Sequence, residues 1–170
     1  MVERRTPLTR SEMMARIRSA DTKPELLVRK GLHAAGFRFR LHTRELPGSP
    51  DIVLRKHHCA IFVHGCFWHG HQVCGNFRLP KTRPEFWSAK ISANRARDQH
   101  ARDALVNGGW RVLVVWECAT RTIYVDRLIE IIAAWLQGSE TSAELSANGL
   151  SFLAAENSEI GSASRNQHNE

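Results

Sequence analysis

The chain has 170 residues and a formal net charge of +7, enough for one domain with one good core. No apolar run approaches the roughly 20 residues of a membrane span, and the opening Met1-Val2-Glu3-Arg4-Arg5-Thr6-Pro7 is no apolar signal segment, so the expectation is a cytoplasmic, nucleoid-associated protein with no membrane role. Residues 138–170 hold Glu140, Glu144, Glu156, Glu159 and Glu170 against Arg165 alone, so the basic excess lies wholly in 1–137 and favours a polyanion, most simply nucleic acid.

Three segments open with one helix-start signal. Thr9-Arg10-Ser11-Glu12, Thr22-Lys23-Pro24-Glu25 and Thr82-Arg83-Pro84-Glu85 each place Thr three residues before Glu, so hydroxyl and carboxylate can cap the first turn reciprocally. Proline in the last two falls where no intrahelical donor is lost. The pattern predicts helices at about 10–19, 23–35 and 83–107, the latter two closed by Gly36 and by Gly108-Gly109. Runs of β-branched and aromatic residues predict strands at Phe37–His42, Asp51–Arg55, His58–Val63 and Arg111–Trp116. A last helix at about 122–137 carries Val125, Leu128, Ile129, Ile132, Ala133 and Leu136 at helical spacing, a face suited to packing on a sheet.

That order predicts an α/β fold, a mixed β-sheet flanked by helices, in which the long helix before the fourth strand allows a parallel crossover. The domain is expected to end near 137. The rest, rich in Ser, Ala, Glu and Asn, reads as an acidic and largely disordered tail in which 151–153 could dock.

Chemistry concentrates between Phe62 and Cys74, where three histidines, two cysteines and two adjacent large aromatics follow a strand-like run. Four cysteines without an export signal argue against a disulfide framework. Cys59, in an apolar run, reads as a buried small hydrophobe. Cys66-x4-His71-x2-Cys74, with Cys118 far along the chain, supplies a Cys3His set that suits closed, tetrahedral, structural Zn²⁺. A distant fourth ligand would staple the irregular loop to the last strand.

Asp51 starts a strand, and the next strand delivers His64 and then His69. One carboxylate and a strand carbonyl can hold Mg²⁺, which keeps most of its waters, while a histidine moves a proton. Phe67 and Trp68 suit either stacking on bases or a small core around the metal. Lys90, Asn94 and Arg97 share a helix face with Asp98 one turn on, as a solvated face or a phosphate-reading one. On spacing, Glu25 is a capping carboxylate.

Taken together, Leu46-Pro47-Gly48-Ser49-Pro50-Asp51, Phe62-x-His64-Gly65-Cys66-Phe67-Trp68-His69, Phe86-Trp87-x2-Lys90-Ile91-x2-Asn94-x3-Asp98 and Gly109-Trp110-Arg111-Val112-Leu113-x-Val115-Trp116-Glu117-Cys118 closely resemble the very-short-patch repair mismatch endonucleases. Thr9-Arg10-Ser11 and Met14-x2-Ile17 fit that family's N-terminal segment, so the resemblance covers roughly residues 8–137. It implies a restriction-endonuclease-like fold acting as a monomer on double-stranded DNA. The implied reaction is a nick 5′ to the thymine of a T:G mismatch, left by deaminated 5-methylcytosine, with mismatch-repair proteins as potential partners.

The resemblance also implies roles. Asp51 and the Val63 backbone carbonyl would hold Mg²⁺; Val63 stands where a well-known form of the motif has Thr. His69 would be the general acid/base, with His64 supporting the scissile phosphate and Glu25 as its partner. Asn94 and Asp98 would lie near metal-bound water. Cys66, His71, Cys74 and Cys118 would bind Zn²⁺. Phe67, Trp68 and Trp87 would contact or wedge the duplex, Met14 and Ile17 would approach from the other groove, and Lys90 and Arg97 would face phosphate. The competing expectation is a zinc-containing module that binds distorted duplex without cutting it, which needs neither Asp51 nor His69.

Overall fold

The computed structural model describes residues 20–75 and 77–153. The expected first helix, with Met14 and Ile17, and the chain from 154 lie outside the described residues.

Thr22 and Pro24 begin helix α1 (Lys23–Ala34) as predicted, the Thr22 hydroxyl accepting from the Glu25 amide at 3.4 Å. Strand β1 is only Arg40–Leu41, shorter than predicted; β2 is Ile52–Leu54, after which a 3₁₀ turn at Arg55–His57 takes the end of the expected strand. β3 (Cys59–His64) is buried throughout. Helix α2 (Pro84–Asn107) starts at the predicted proline, but Thr82 does not cap it. Arg83 occupies the cap in a left-handed conformation (φ 57°) with no side-chain bond, so the expected capping box is absent. β4 (Arg111–Trp116) matches its predicted bounds; a short helix that was not expected, α3 (Glu117–Thr122), follows it, and the expected helix at 122–137 is α4 (Val125–Gln137).

The expected end at 137 is corrected by two further strands, β5 (Ser142–Ser146) and β6 (Gly149–Phe152). β5 places Ala143 and Leu145 in the core and leaves Glu144 on the opposite side, so a polar composition still forms a strand. The six strands lie in chain order. β1, β2 and β3 form an antiparallel meander, β3–β4 and β4–β5 are parallel, and β5–β6 is an antiparallel hairpin.

Alternation along β3 and β4 divides the interior. Cys59, Ile61, Val63, Leu113 and Val115 meet Val28 and Leu32 of α1, Ala119 of α3, and Leu128, Ile129, Ile132, Trp135 and Leu136 of α4. Gly31 permits the close crossing of α1 and α4, since a Cβ there would lie 2.4 Å from Ile129 Cγ1. The other face is thinner: Ala60, Phe62, Val112, Val114 and Trp116 pack with Leu105 of α2 and with Cys66 and Cys118. Helix α4 has no basic residue in its last turn, and Arg111 of β4 satisfies its end instead, donating to the carbonyls of Leu136 (2.9 Å), Trp135 (2.5 Å) and Glu140 (2.9 Å).

Candidate active site and metal centre

The carboxyl end of β3 collects the titratable groups. Pairing of Ile52 with Ile61 sets Asp51 beside the end of β3, and its Oδ2 accepts the Val63 N–H at 2.7 Å. Burial pushes the Asp51 carboxyl up to about 6; the Val63 bond pulls it down, and the neighbouring Glu25 charge pushes it further up. His64 ends the strand, 8% exposed, and burial, reinforced by His69, lowers it to about 3, so it is a neutral imidazole at physiological pH.

The loop after β3 turns back at Gly70, where a Cβ would lie 2.7 Å from Ile91 Cγ2 and the backbone is left-handed (φ 65°). That turn stacks His69 on His64, with ring centroids 3.9 Å apart and planes 6° from parallel. Asp98 of α2 binds His69 Nδ1 through Oδ2 at 2.6 Å. Burial alone would raise Asp98, but the His69 bond, helped by the Arg97 charge, holds its carboxyl below the usual range. A carboxylate on Nδ1 fixes the tautomer in which neutral His69 carries its proton there, freeing Nε2 to accept one.

Glu25 is 3% exposed and keeps the expected capping contact with Thr22, but not the His64 partner that the resemblance implied. Its carboxylate accepts the Asp21 N–H (2.9 Å), the Thr22 hydroxyl (2.8 Å) and Arg29 (2.8 Å), so its charge partner is Arg29 rather than His64. Arg29, itself 6% exposed, also bonds Asp21 and meets His42 Nε2 at 2.9 Å. The guanidinium thus sits among the Asp21, Glu25 and His42 side chains, which otherwise resemble a cation site.

Cys66, His71, Cys74 and Cys118 form the second centre, with one ligand atom from each within 4.8 Å of all the others. His71 Nδ1 lies 3.7 Å from Cys66 Sγ and 3.6 Å from Cys118 Sγ. Tetrahedral Zn²⁺ with ordinary Zn–S and Zn–N bonds spaces its ligands about 3.6 Å apart, so the donors fit that ion. Burial keeps His71 on the neutral side and pushes the Cys66 thiol up to about 12 in the bare protein. The Ala147 N–H donates to Cys118 Sγ at 3.4 Å, a bond that suits a metal-bound thiolate.

Phe67, Trp68 and Trp87 gather half-buried beside this centre, with centroids 5.1 to 6.1 Å apart and Lys90 Nζ 5.5 Å from the Trp68 ring. They contact one another as a small core would while retaining exposed surface. Asn94 has a holding role, donating to the Trp68 carbonyl at 2.8 Å and accepting from Arg97. Glu25, Asp51, Val63, His64, Trp68, His69, Asn94 and Asp98 line one cleft of about 1780 Å³, together with Arg44, Lys90, Arg95, Arg97 and Arg102. Those five cations stand against the carboxylates of Glu25, Asp51, Asp98, Glu117 and Glu144, so the cleft combines charge that suits phosphate with carboxylates that suit a cation.

The sequence reading missed Arg29, His42 and Trp116. Trp116 stacks on His71 with centroids 4.2 Å apart and presents an edge to His64 at 5.5 Å. Register could have found it, because Trp116 pairs with His64 across parallel strands.

The fold is a mixed α/β sheet whose cleft gathers histidines, carboxylates and cations beside a Cys/His cluster, and the comparisons place it among the DNA endonucleases. The sequence profile of the family DNA mismatch endonuclease Vsr matches residues 3–75. The chain is 53% identical over 118 residues to the type II nicking enzyme V.XorIIP of Xanthomonas oryzae pv. oryzae, covering 69% of this chain and 86% of that protein. It is 42% identical over 149 residues to the DNA mismatch endonuclease Vsr of Escherichia coli, covering 86% and 95%. With the type II nicking enzyme V.NmeAIP of Neisseria meningitidis it shares 45% over 122 residues, covering 72% and 86%. This chain belongs to the Vsr DNA mismatch endonuclease family.

Proposed function

We propose that the protein is a DNA mismatch endonuclease that nicks one strand of a duplex, 5′ to the thymine of a T:G mismatch, by Mg²⁺-dependent hydrolysis, and so initiates very short patch repair. The observation that carries this reading is the gathering of Asp51, His64, His69 and Asp98 at one strand end, inside a cleft that Arg44, Lys90, Arg95, Arg97 and Arg102 also line. A binder of distorted DNA has no use for a histidine oriented by a carboxylate.

Asp51 fits a dication. Its charged form is disfavoured in the bare protein, as the rise to about 6 records, and a bound cation would relieve that. Asp51 and the Val63 carbonyl would hold Mg²⁺, which would polarise the scissile phosphate and stabilise developing charge. His69 handles the proton through Nε2, oriented by Asp98 on Nδ1. Neutral His64 backs the His69 ring and, being uncharged, leaves His69 free to take a proton. Glu25, held by Arg29, keeps a negative charge near Asp51 and thereby favours cation binding. Asn94 fixes the loop through the Trp68 carbonyl.

Cys66, His71, Cys74 and Cys118 would hold Zn²⁺, which would anchor that loop to the start of α3, where Cys118 lies. Phe67, Trp68 and Trp87 contact or wedge the mismatched step, which a T:G wobble weakens, and Met14 and Ile17 approach from the other groove. Lys90 and Arg97 meet phosphates. The enzyme works as a monomer, since one site makes one nick, and mismatch-repair proteins act alongside it in the cell.

The test is a nicking assay on a duplex with one T:G in a 5-methylcytosine context, with Mg²⁺ or EDTA, for wild type and Asp51→Ala. The expected result is a nick 5′ to the thymine that needs both Mg²⁺ and Asp51, with Asp51→Ala slower by at least about 1,000-fold, the loss of several kcal/mol of transition-state stabilisation. Tight mismatch binding without cutting, in several flanking sequences, would sink the reading.

A further inference from the structure

Between the two centres lies a side chain that neither explanation uses. Trp116 closes β4 with its indole stacked on the His71 ring, 8° from parallel, and its edge on the His64 ring, so one residue touches a candidate metal ligand and a candidate catalytic histidine. An indole offers one polar handle, and here Nε1–H donates to Glu144 Oε2 at 2.9 Å. Glu144 is fixed in turn, its Oε1 accepting Arg102 NH1 at 3.0 Å, while Arg102 NH2 donates to Gln99 Oε1 at 2.6 Å. Glu144 stands on β5, on the face of the sheet that carries α2, and pairs in register with Val114 two residues before Trp116.

We infer that Glu144 is a positioning residue for the nicking reaction: by holding the Trp116 indole in its plane, it sets the His71 and His64 rings against which the metal knot and His69 are built. The inference rests on the endonuclease reading for its catalytic consequence alone. The hydrogen-bond chain Arg102–Glu144–Trp116 and the ring stack exist whatever the reaction is. A carboxylate is well matched to the task because it accepts from the indole and the guanidinium at once, one oxygen for each. The neutral amide of glutamine could still accept the indole N–H, whereas alanine leaves that donor without its partner.

The experiment uses the full chain, loaded with Zn²⁺ and Mg²⁺, as wild type, Glu144→Ala, Glu144→Gln, Trp116→Phe and the double variant Trp116→Phe with Glu144→Ala. Two readouts are taken: the single-turnover nicking rate at saturating T:G duplex, and the indole and imidazole N–H signals in nitrogen-15 NMR spectra. Glu144→Ala is expected to slow nicking at saturating duplex roughly 10-fold, as a sub-ångström misplacement of reacting groups would. It should also move the Trp116 indole signal, identified by its loss in Trp116→Phe, and the His71 ring signals. Glu144→Gln is expected to recover most of the rate. In the Trp116→Phe background the alanine change should add nothing, because its target is gone.

The inference is overturned if Glu144→Ala leaves rate and ring signals unmoved, or if its loss is equal in the Trp116→Phe background. If wild type does not nick, the endonuclease reading fails by itself; movement of the ring signals in Glu144→Ala then supports the positioning role, and their constancy overturns it.

Discussion

The two faces of the sheet are built from the same strands and differ in almost everything else. On one, three helices press onto a continuous aliphatic layer in which Leu32, Ile61, Leu113, Leu128 and Ile132 are wholly buried. On the other, among the described residues, α2 contributes Leu105 to a small cluster, and two of that cluster's buried members are Cys66 and Cys118. The chemistry sits on the thin face and at its open end, since His64, His71, Trp116 and Glu144 all line the cleft. A thick face can be stable without help. On the proposed function the thin face has to stay open to a duplex, and a metal held by Cys66, His71, Cys74 and Cys118 would give it rigidity without closing it.

Metal removal should therefore separate the faces most sharply. Cys118→Ser, or chelation of the knot, is expected to lower the unfolding free energy by about 4 kcal/mol or more, the range reached by loss of a structural metal. In hydrogen exchange, amides of residues 65–75 and of α2 should lose protection while those of α1 and α4 keep theirs. Equal loss across both faces would break the comparison and make the sheet with all its helices one cooperative unit.

A matched pair of truncations comes next. Leu113 and Leu105 are 0% and 1% exposed, so they differ in surroundings rather than in burial. Leu113→Ala, inside the thick layer, is expected to cost about 4–5 kcal/mol, and Leu105→Ala about 2–3 kcal/mol, because the thinner cluster can collapse into the space. Chemical denaturation at fixed metal concentration measures both. The contrast sharpens further if Leu105→Ala weakens Zn²⁺ retention and Leu113→Ala does not.

Much of this was legible in the sequence because the relevant signals are local. Thr22 with Pro24 announced α1, the β-branched run announced β4 to the residue, and the dense cluster from His64 to Cys74 announced side chains that the fold gathers into two groups of donors. What was missed depends on partners far apart in the chain. Residues 142–152 read as tail because they offer few apolar side chains, and they fold because β4 supplies a parallel edge for Ala143 and Leu145. The alternation through Ser142-Ala143-Glu144-Leu145-Ser146 and the Asn148-Gly149 pair at the turn were the available clues. Glu25 shows the opposite limit. Its spacing correctly gave the Thr22 contact, but the Arg29 guanidinium that neutralises it lies one helical turn on and reaches His42 and Asp21 as well. Likewise Thr82 had the right spacing to Glu85, and the left-handed Arg83 between them removed the cap.

The smallest expected effect concerns pH, and it separates the two titrating groups of the open end. Asp51 is raised from 3.8 to about 6, so the metal-free native state holds a proton there that the unfolded chain has already released. Stability linked to Asp51 is full below about pH 4 and is lost as pH rises towards 6, by roughly 2–3 kcal/mol for a shift of this size. His64 is lowered from 6.5 to about 3, so its contribution is full above pH 6.5 and is lost as pH falls towards 3. Between pH 4 and 6 the two slopes oppose, and metal-free wild type should show a shallow profile. Asp51→Asn removes one slope: its stability in EDTA should exceed that of wild type at pH 7 and fall steadily as pH drops below 6.5. Mg²⁺ should restore wild type at pH 7 and leave Asp51→Asn unchanged, because the cation relieves a charge that asparagine does not carry. Parallel profiles for the two proteins in EDTA would mean that Asp51 is not a strained carboxylate, and the argument that it awaits a dication would fall with it.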